Sequence, residues 1–187
     1  MSALGALLAG GRSRRMGTDK ALLPVADGTL LDYMAAKLGT LPLDEIVICR
    51  DAPGCLADAV PGLGPIGALS ALSTAYPGRE VLVVPIDMPL LSTATLMALL
   101  GGGNHQPRHY AGHFLPLRLV LDPAAIAAIA HRASPQAGDR SLAGLLRALD
   151  ARTLPPPGDA EELANLNRPE DWDRVRRLLD GSAGRSA

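Results

Sequence analysis

Glycines and basic residues are concentrated in one short segment near the start of the chain, "LLAGGRSRRMGTDKALL" (residues 7–23). Gly10 and Gly11 follow an apolar run, and a basic cluster that includes Arg15 and Lys20 follows the glycines. Glycines let a backbone approach a ligand closely and expose N–H donors, and arginine and lysine bind phosphate oxygens. The segment therefore suits a triphosphate. The alternative is a solvated basic turn, and composition alone leaves both open.

The spacing of this segment excludes two common phosphate-binding motifs. A P-loop has four residues between its glycines and continues as Gly-Lys-Ser/Thr. Here five residues separate Gly11 from Gly17, and "TDK" follows. The dinucleotide fingerprint G-x-G-x-x-G is also absent from the segment.

A carboxylate stands directly after another apolar run. Asp87 follows "EVLVVPI" and precedes Met88-Pro89. In an open parallel sheet, ligands bind beyond the carboxyl ends of the strands. One aspartate together with phosphate oxygens and water can hold Mg²⁺. The alternative is an aspartate that caps the following turn.

Apolar runs and helical patterns alternate through most of the chain. Strands are predicted within residues 3–9, 44–51, 80–91 and 115–121, and helices within 29–41, 61–76, 92–103, 122–133, 140–150 and 167–181. Ser92 and Asp122 are expected N-caps. This alternation predicts a single-domain α/β protein, a three-layer α/β/α sandwich with a mostly parallel, Rossmann-like sheet. Residues 153–159 read as a rigid polar loop.

Composition limits the function classes. The chain has 187 residues, 48% of them hydrophobic, which suits one domain over residues 1–180 with a flexible tail over 181–187. A net charge of −1 argues against nonspecific binding of nucleic acid or of a membrane surface. No signal peptide and no apolar run of about 20 residues is apparent. Cys49 and Cys55 are expected to be free thiols in the cytoplasm.

The first segment resembles the signature loop of the molybdenum cofactor guanylyltransferases, within the wider nucleotidyltransferases of the glycosyltransferase-A type. Their pattern, L-A-G-G-x-S-x-R-M-G-x-D-K, is matched at every fixed position. "DAVPGLGPIGAL", "PIDMPLL", "RSLAGLL" and "NLNRPEDW" resemble further family segments in the same order, so the likeness covers nearly the whole chain. It implies a sheet like that of the nucleotide-diphospho-sugar transferases.

The resemblance implies an enzyme that transfers GMP from GTP to molybdopterin carrying molybdenum, with Mg²⁺ as cofactor and pyrophosphate as the second product. Molybdoenzymes or delivery proteins are possible further partners. The implied catalytic residues are Arg15, Lys20 and Asp87, with Asp87 also the metal ligand. The implied nucleotide-binding residues are Leu8, Ala9, Gly10, Gly11, Lys20, Asp58 and Asp87. The implied acceptor-binding residues are Arg140, Ser141, Asn165 and Asn167.

Several of these residues also have structural interpretations. Asp58 suits a turn, and an asparagine such as Asn167, just before a helix, suits an N-cap. Cys49 stands where the family often has an asparagine near the nucleotide. Arg118 stands where an apolar residue is usual, and it is expected either to touch the phosphate of the pterin or to lie on the surface.

"LAGG" and "DMP" resemble the guanylyl branch rather than the cytidylyl branch of the family. Two alternatives stay open: a nucleotidyltransferase of the same fold with CTP or another phosphorylated acceptor, and a non-catalytic nucleotide- or pterin-binding protein.

His105, His109 and His113 recur at intervals of four, as zinc ligands on a helix would. Pro107 argues against a helix there, and a mobile loop over the acceptor site is the favoured interpretation.

Overall fold

The computed structural model describes residues 3–10, 19–25, 28–101 and 105–183; the predicted site residues Gly11 and Arg15 lie outside these ranges. The described part contains these strands: β1 (Ala3–Leu8), β2 (Pro24–Val25), β3 (Gly28–Thr29), β4 (Leu43–Cys49), β5 (Glu80–Pro85), β6 (Arg108–Tyr110), β7 (Leu117–Val120) and β8 (Arg152–Leu154). It contains these helices: α1 (Leu30–Gly39), α2 (Pro65–Ala75), α3 (Thr93–Leu100), α4 (Pro123–Ala133), α5 (Leu142–Ala148) and α6 (Pro169–Ala183).

The main sheet has six strands in the order β4-β1-β5-β7-β6-β8. Strand β1 pairs in parallel with β4 and β5, and β6 pairs in parallel with β8. Strand β7 runs antiparallel to both of its neighbours. Strands β1, β4 and β5 therefore end together at one edge, which we call the carboxyl edge. A separate short hairpin joins β2 to β3.

Helices cover both faces of the sheet, which confirms the predicted three-layer α/β arrangement. Alternate strand residues point to opposite faces. Leu7 and Leu82 belong to a core shared with α1, α3 and α6, whereas Leu4 and Val83 belong to a core shared with α2, α4 and α5. A sheet buried on both faces explains why the strands read as continuous apolar runs.

The predicted helix starts at Ser92 and Asp122 are confirmed. The Ser92 side chain accepts a hydrogen bond from the N–H of Thr95, and the Asp122 carboxylate accepts one from Ala125. The Ser92 cap starts α3 directly after the turn that follows β5, so the turn carrying Asp87 is held between a central strand and a capped helix.

Two segments predicted as loops contain strands. Residues 108–110 form β6, inside the sheet between β7 and β8, so the prediction of a mobile loop is wrong for this part. His109 lies in this strand, and its Nδ1 is 2.8 Å from the carbonyl oxygen of His113. Thr153 and Leu154, predicted as part of a polar loop, belong to β8. Both strands are three residues long, too short to show a period in the sequence.

Arg118 lies neither on the surface nor free to reach a substrate, so both interpretations of it are wrong. Its side chain is 5% exposed, and its Nε donates to Glu80 Oε1 at 2.5 Å. Glu80 is the first residue of β5, at the edge of the sheet opposite the carboxyl edge. The guanidinium is accommodated in β7 because this partner satisfies its charge.

Helix α6 continues to Ala183, past residue 180, where the flexible tail was predicted to begin. Trp172 on this helix is 8% exposed and packs in the core shared with α1 and α3, as a packing anchor would. Among the described residues, no helix combines the length and apolar character needed to cross a membrane.

Candidate active site

Asp87 and Lys20 come together at the carboxyl edge. Asp87 lies just beyond the end of β5. Lys20 opens a 3-10 turn (Lys20–Leu22) near the end of the glycine-rich segment, residues 7–23. Lys20 Nζ lies 3.4 Å from Asp87 Oδ2, and their side chains are 15% and 27% exposed. Because both side chains are partly exposed, each can give up the other for a new partner. The Asp87 carboxylate can bind a cation, and the Lys20 ammonium can bind phosphate oxygens.

The C-terminal segment "NLN" completes this arrangement through its backbone. The N–H of Leu166 donates to the carbonyl oxygen of Asp87 at 2.7 Å. The carbonyl oxygen of Leu166 accepts a hydrogen bond from Lys20 Nζ. Residues 20, 87 and 166, far apart in sequence, are thus joined by direct hydrogen bonds. Leu166 was not among the predicted site residues because its contribution is a peptide group, which no side-chain motif reveals.

The two asparagines flank this anchor and face outward. Leu166 is 1% exposed, while Asn165 and Asn167 are exposed. The backbone N–H groups of Asn167 and Arg168 both donate to Asp171 Oδ2, at 2.9 Å each. Asp171, in the first turn of α6, therefore accepts the hydrogen bonds of the two backbone N–H groups just before that helix. Asn165 and Asn167 are thus the sequence neighbours of the residue whose N–H bonds the Asp87 carbonyl.

Two residues of the glycine-rich segment, Gly10 and Asp19, contact the chain at the carboxyl end of strand β4. Asp19 accepts a hydrogen bond from the N–H of Ala21, and its other oxygen lies 2.8 Å from Arg50 Nη2. A Cβ on Gly10 would lie 3.4 Å from the carbonyl oxygen of Cys49, so the backbones approach closely there. Asp19 and Arg50 were not among the predicted site residues. Asp19 could have been found, since it occupies a fixed position of the loop pattern.

Leu8 and Ala9 lie where β1 leaves the sheet. The carbonyl oxygen of Leu8 accepts from Ile86, and the N–H of Ala9 donates to Cys49, each at 3.0 Å. Those two backbone groups hold the ends of β4, β1 and β5 together. Gly10, the next residue, is exposed at the carboxyl edge.

Asp58 lies near the end of β4, beside the start of α2. A Cβ built on Gly67 would lie 3.2 Å from Asp58 Oδ2. Burial raises the pKa of Asp58, and the nearby charge of Asp51 raises it further. Burial raises the pKa of the Cys49 thiol to about 12, with Asp58 and Cys55 contributing, so Cys49 is a neutral thiol. Both cysteines are free, as predicted.

Arg140 and Ser141 lie in the turn between α4 and α5. Strand β7 runs away from the carboxyl edge and α4 runs back, so this turn returns to that edge. Ser141 caps α5, and Arg140 Nη2 donates to the carbonyl oxygen of Ser134 at 2.6 Å. No hydrogen bond between this turn and Asp87 is found in the described part of the chain. Their predicted contact with an acceptor stays a prediction.

Comparison with known proteins shows the family to which this chain belongs. The model of the MobA-like NTP transferase domain matches residues 5–153, which include Lys20, Asp58 and Asp87. This chain belongs to the MobA-like NTP transferase family. It is 38% identical to the molybdenum cofactor guanylyltransferase of Xanthomonas euvesicatoria, over 91% of this chain and 93% of that one.

A second relative and a solved structure agree with this assignment. A probable molybdenum cofactor guanylyltransferase of Opitutus terrae is 33% identical, over 92% of this chain and 94% of that one. The crystal structure of molybdopterin-guanine dinucleotide biosynthesis protein A from Archaeoglobus fulgidus superposes with a TM-score of 0.73. That structure is 19% identical and covers 95% of this chain and 99% of its own, which confirms the nucleotidyltransferase fold.

The raised pKa of Asp58 gives a prediction for the stability of this family member. The folded state holds the Asp58 proton more tightly than the unfolded state, so charging Asp58 costs stability as pH rises through the folded pKa. Asp58→Asn is expected to raise the free energy of unfolding at pH 7, and this gain should vanish below pH 3.8, the ordinary value. Urea unfolding at several pH values measures it, with exposed Asp173→Asn as the control. A gain that persists in acid would show that the charge of Asp58 is not its cause.

Gly67 is needed for the approach of the 58–60 segment to α2. An added Cβ would lie 2.7 Å from the carbonyl oxygen of Val60, so that segment would have to move. Gly67→Ala is expected to lower the free energy of unfolding by about 1–3 kcal/mol, although Ala is the better helix former. Gly39→Ala, also in a helix but 3.9 Å from its nearest neighbour, is the control and should not destabilise. Equal stability of the two variants would contradict the clash.

Proposed function

We propose that this protein transfers GMP from GTP to molybdenum-molybdopterin, giving the guanine dinucleotide form of the cofactor and pyrophosphate, in the cytoplasm. An oxygen of the terminal phosphate of molybdopterin attacks the α-phosphorus of GTP. The bond from that phosphorus to the bridging oxygen of the β-phosphate breaks, and the electron pair leaves with pyrophosphate. Family membership supports the reaction class, and the names of the two relatives support the base and the acceptor.

The observation that carries the proposal is the joining of Lys20, Asp87 and Leu166 at the carboxyl edge. In-line nucleotidyl transfer requires positioning and charge neutralisation rather than covalent chemistry from the protein. Lys20 supplies a positive charge that stabilises the departing pyrophosphate. Its hydrogen bond to the Leu166 carbonyl keeps the ammonium in place when Asp87 turns to another partner.

The donors at Asp87 fit Mg²⁺ held jointly with a nucleotide. No group of three or more metal-ligating side chains occurs among the described residues. Mg²⁺ is usually held by one or two carboxylates with phosphate oxygens and water, and the partly exposed Asp87 carboxylate offers that. Bound there, Mg²⁺ would neutralise charge on the phosphates. Asp87 would hold the cation, and the exposed Asn167 beside it could add an amide oxygen.

The remaining residues have binding roles in this proposal. Gly10 presents backbone groups to the nucleotide beside β4, and Asp58 offers a carboxylate acceptor to it. Arg140, Ser141 and Asn165 line the acceptor side. Gly11 and Arg15 are proposed phosphate contacts, on the family pattern alone.

Calorimetric titration of the purified protein with GTP, CTP, ATP and UTP, each with Mg²⁺, tests the nucleotide. We expect selective GTP binding. Tighter CTP binding would move the product to the cytosine dinucleotide and contradict the proposed base. Binding of GTP without pyrophosphate release in the presence of molybdopterin would favour a non-catalytic binding protein.

A further inference from the structure

The chain has only two lysines, Lys20 and Lys37, among 18 lysines and arginines. Lys20 lies in the candidate active site. Lys37 lies on α1, and its Nζ donates to the carbonyl oxygens of Pro89 and Leu91 at 2.6 and 2.7 Å. Those carbonyls belong to the turn that begins with Asp87. A lysine ammonium is a compact charge with three donors, so one side chain can hold two neighbouring carbonyls together.

The same ammonium connects this turn to the C-terminal segment. The Glu162 carboxylate is close enough to oppose the lowering of the Lys37 pKa, and it accepts the N–H of Ser92 at 2.9 Å. Glu162 lies in a 3-10 turn (Ala160–Leu163) that leads directly to Leu166. The Tyr33 ring covers the remaining side, 4.7 Å from Nζ to the ring centre. Lys37 and Glu162 thus hold both segments that meet at Asp87.

We propose that Lys37 is a positioning residue, which fixes the Asp87 turn against the segment carrying Leu166 for nucleotidyl transfer. This inference rests on the proposed function. No hydrogen bond among the described residues joins Lys37 to the side chain of Asp87 or of Lys20, so Lys37 acts through the main chain. It determines where the Asp87 carboxylate stands relative to Lys20, whose ammonium is itself anchored on Leu166.

The electrostatics at Lys37 support a role in activity rather than in stability alone. Burial lowers the pKa of Lys37 to about 8, so keeping the ammonium charged at neutral pH costs stability. Groups retained at such a cost are frequent at functional sites. Among the described residues, the charged and titratable groups that face Lys37 are Glu162 and Tyr33.

The test compares Lys37→Met with Lys37→Arg. Methionine keeps the apolar stem and removes the donors, whereas arginine keeps a charge and several donors. We expect Lys37→Met to lower kcat for guanylyl transfer about 10–100-fold with the KM for GTP changed less than about twofold. Lys37→Arg is expected to recover a large part of kcat. Faster amide hydrogen exchange in peptides spanning 86–92 and 164–167 of Lys37→Met gives a readout independent of turnover.

Arg174→Met is the matched control. Arg174 pairs with Glu161, the neighbour of Glu162, at 2.9 Å, but both side chains are about half exposed. It should change neither kcat nor exchange. If Lys37→Met does not fold, Glu162→Gln tests the same coupling, since glutamine still accepts from Ser92 but lacks the charge; we expect a loss of about threefold or more in kcat.

Two failures are distinguishable. A wild-type protein that releases no pyrophosphate from GTP and molybdopterin would contradict the proposed function, whatever the variants do. An active wild type with unchanged kcat in folded Lys37→Met, or in Glu162→Gln when the former does not fold, would overturn the role of Lys37. So would a loss in which kcat falls only in proportion to the unfolded fraction.

Discussion

Asp87→Ala is expected to reduce guanylyl transfer by about 10³-fold or more and to leave the fold intact. The side chain offers the carboxylate that would hold the cation and that faces Lys20 Nζ at 3.4 Å. The backbone carbonyl of Asp87, which accepts the N–H of Leu166, is retained in the variant, so the C-terminal segment should stay in place. Pyrophosphate release and the circular dichroism spectrum measure the two halves of the prediction.

Asp87→Asn and Asp173→Asn sharpen this test. Asparagine keeps the size of the side chain and one oxygen but removes the charge, so Asp87→Asn should be nearly as inactive as Asp87→Ala. Asp173 is exposed on α6, and its replacement should leave the rate unchanged. Full Mg²⁺-dependent activity in Asp87→Asn would show that the charge at this position does not hold the cation.

Lys20→Met is expected to lower kcat/KM for GTP by about 10²-fold, the second largest effect. The variant removes the charge that would face the phosphates of GTP and also the hydrogen bond to the Leu166 carbonyl. Steady-state kinetics at varied GTP measure it. Arg79→Met is the control. Arg79 lies just before β5, away from the carboxyl edge, and pairs with Asp44. An unchanged rate at every GTP concentration would remove Lys20 from the site.

Lys20→Arg separates the two contributions of the lysine. Arginine restores positive charge toward the phosphates, but its planar fork does not reproduce a compact ammonium between the Leu166 carbonyl and Asp87. We expect an intermediate rate. Recovery to the wild-type rate would mean that the position of the charge matters less than its presence.

The layered fold could be predicted from the sequence because its elements are strongly patterned. Central strands such as β1 and β5 are buried on both faces and read as apolar runs, and Ser92 and Asp122 mark helix starts by their capping chemistry. Strands β6 and β8 could not be found in the same way. They are three residues long, and the pairing of β6 with β8 joins residues more than 40 positions apart.

The parts of the candidate site that consist of side chains could be predicted from the sequence. The parts that consist of backbone groups could not. Lys20 and Asp87 follow from the loop pattern and from a carboxylate at a strand end, and the structure brings them together. The peptide group of Leu166 leaves no mark in the sequence, and the contact of Lys37 with two carbonyls depends on the packing of α1. Arg118 was misread because a buried arginine in a strand requires a distant partner, Glu80, that pattern alone does not supply.

The measurement that tests the proposed reaction most directly is a competition for product. The wild-type protein is given molybdenum-molybdopterin, Mg²⁺ and equal concentrations of GTP and CTP, and both the dinucleotide product and pyrophosphate are quantified. We expect the guanine dinucleotide, with one pyrophosphate released for each product molecule. Formation of the cytosine dinucleotide instead, or of no dinucleotide by a protein that binds GTP, would contradict the proposed guanylyl transfer.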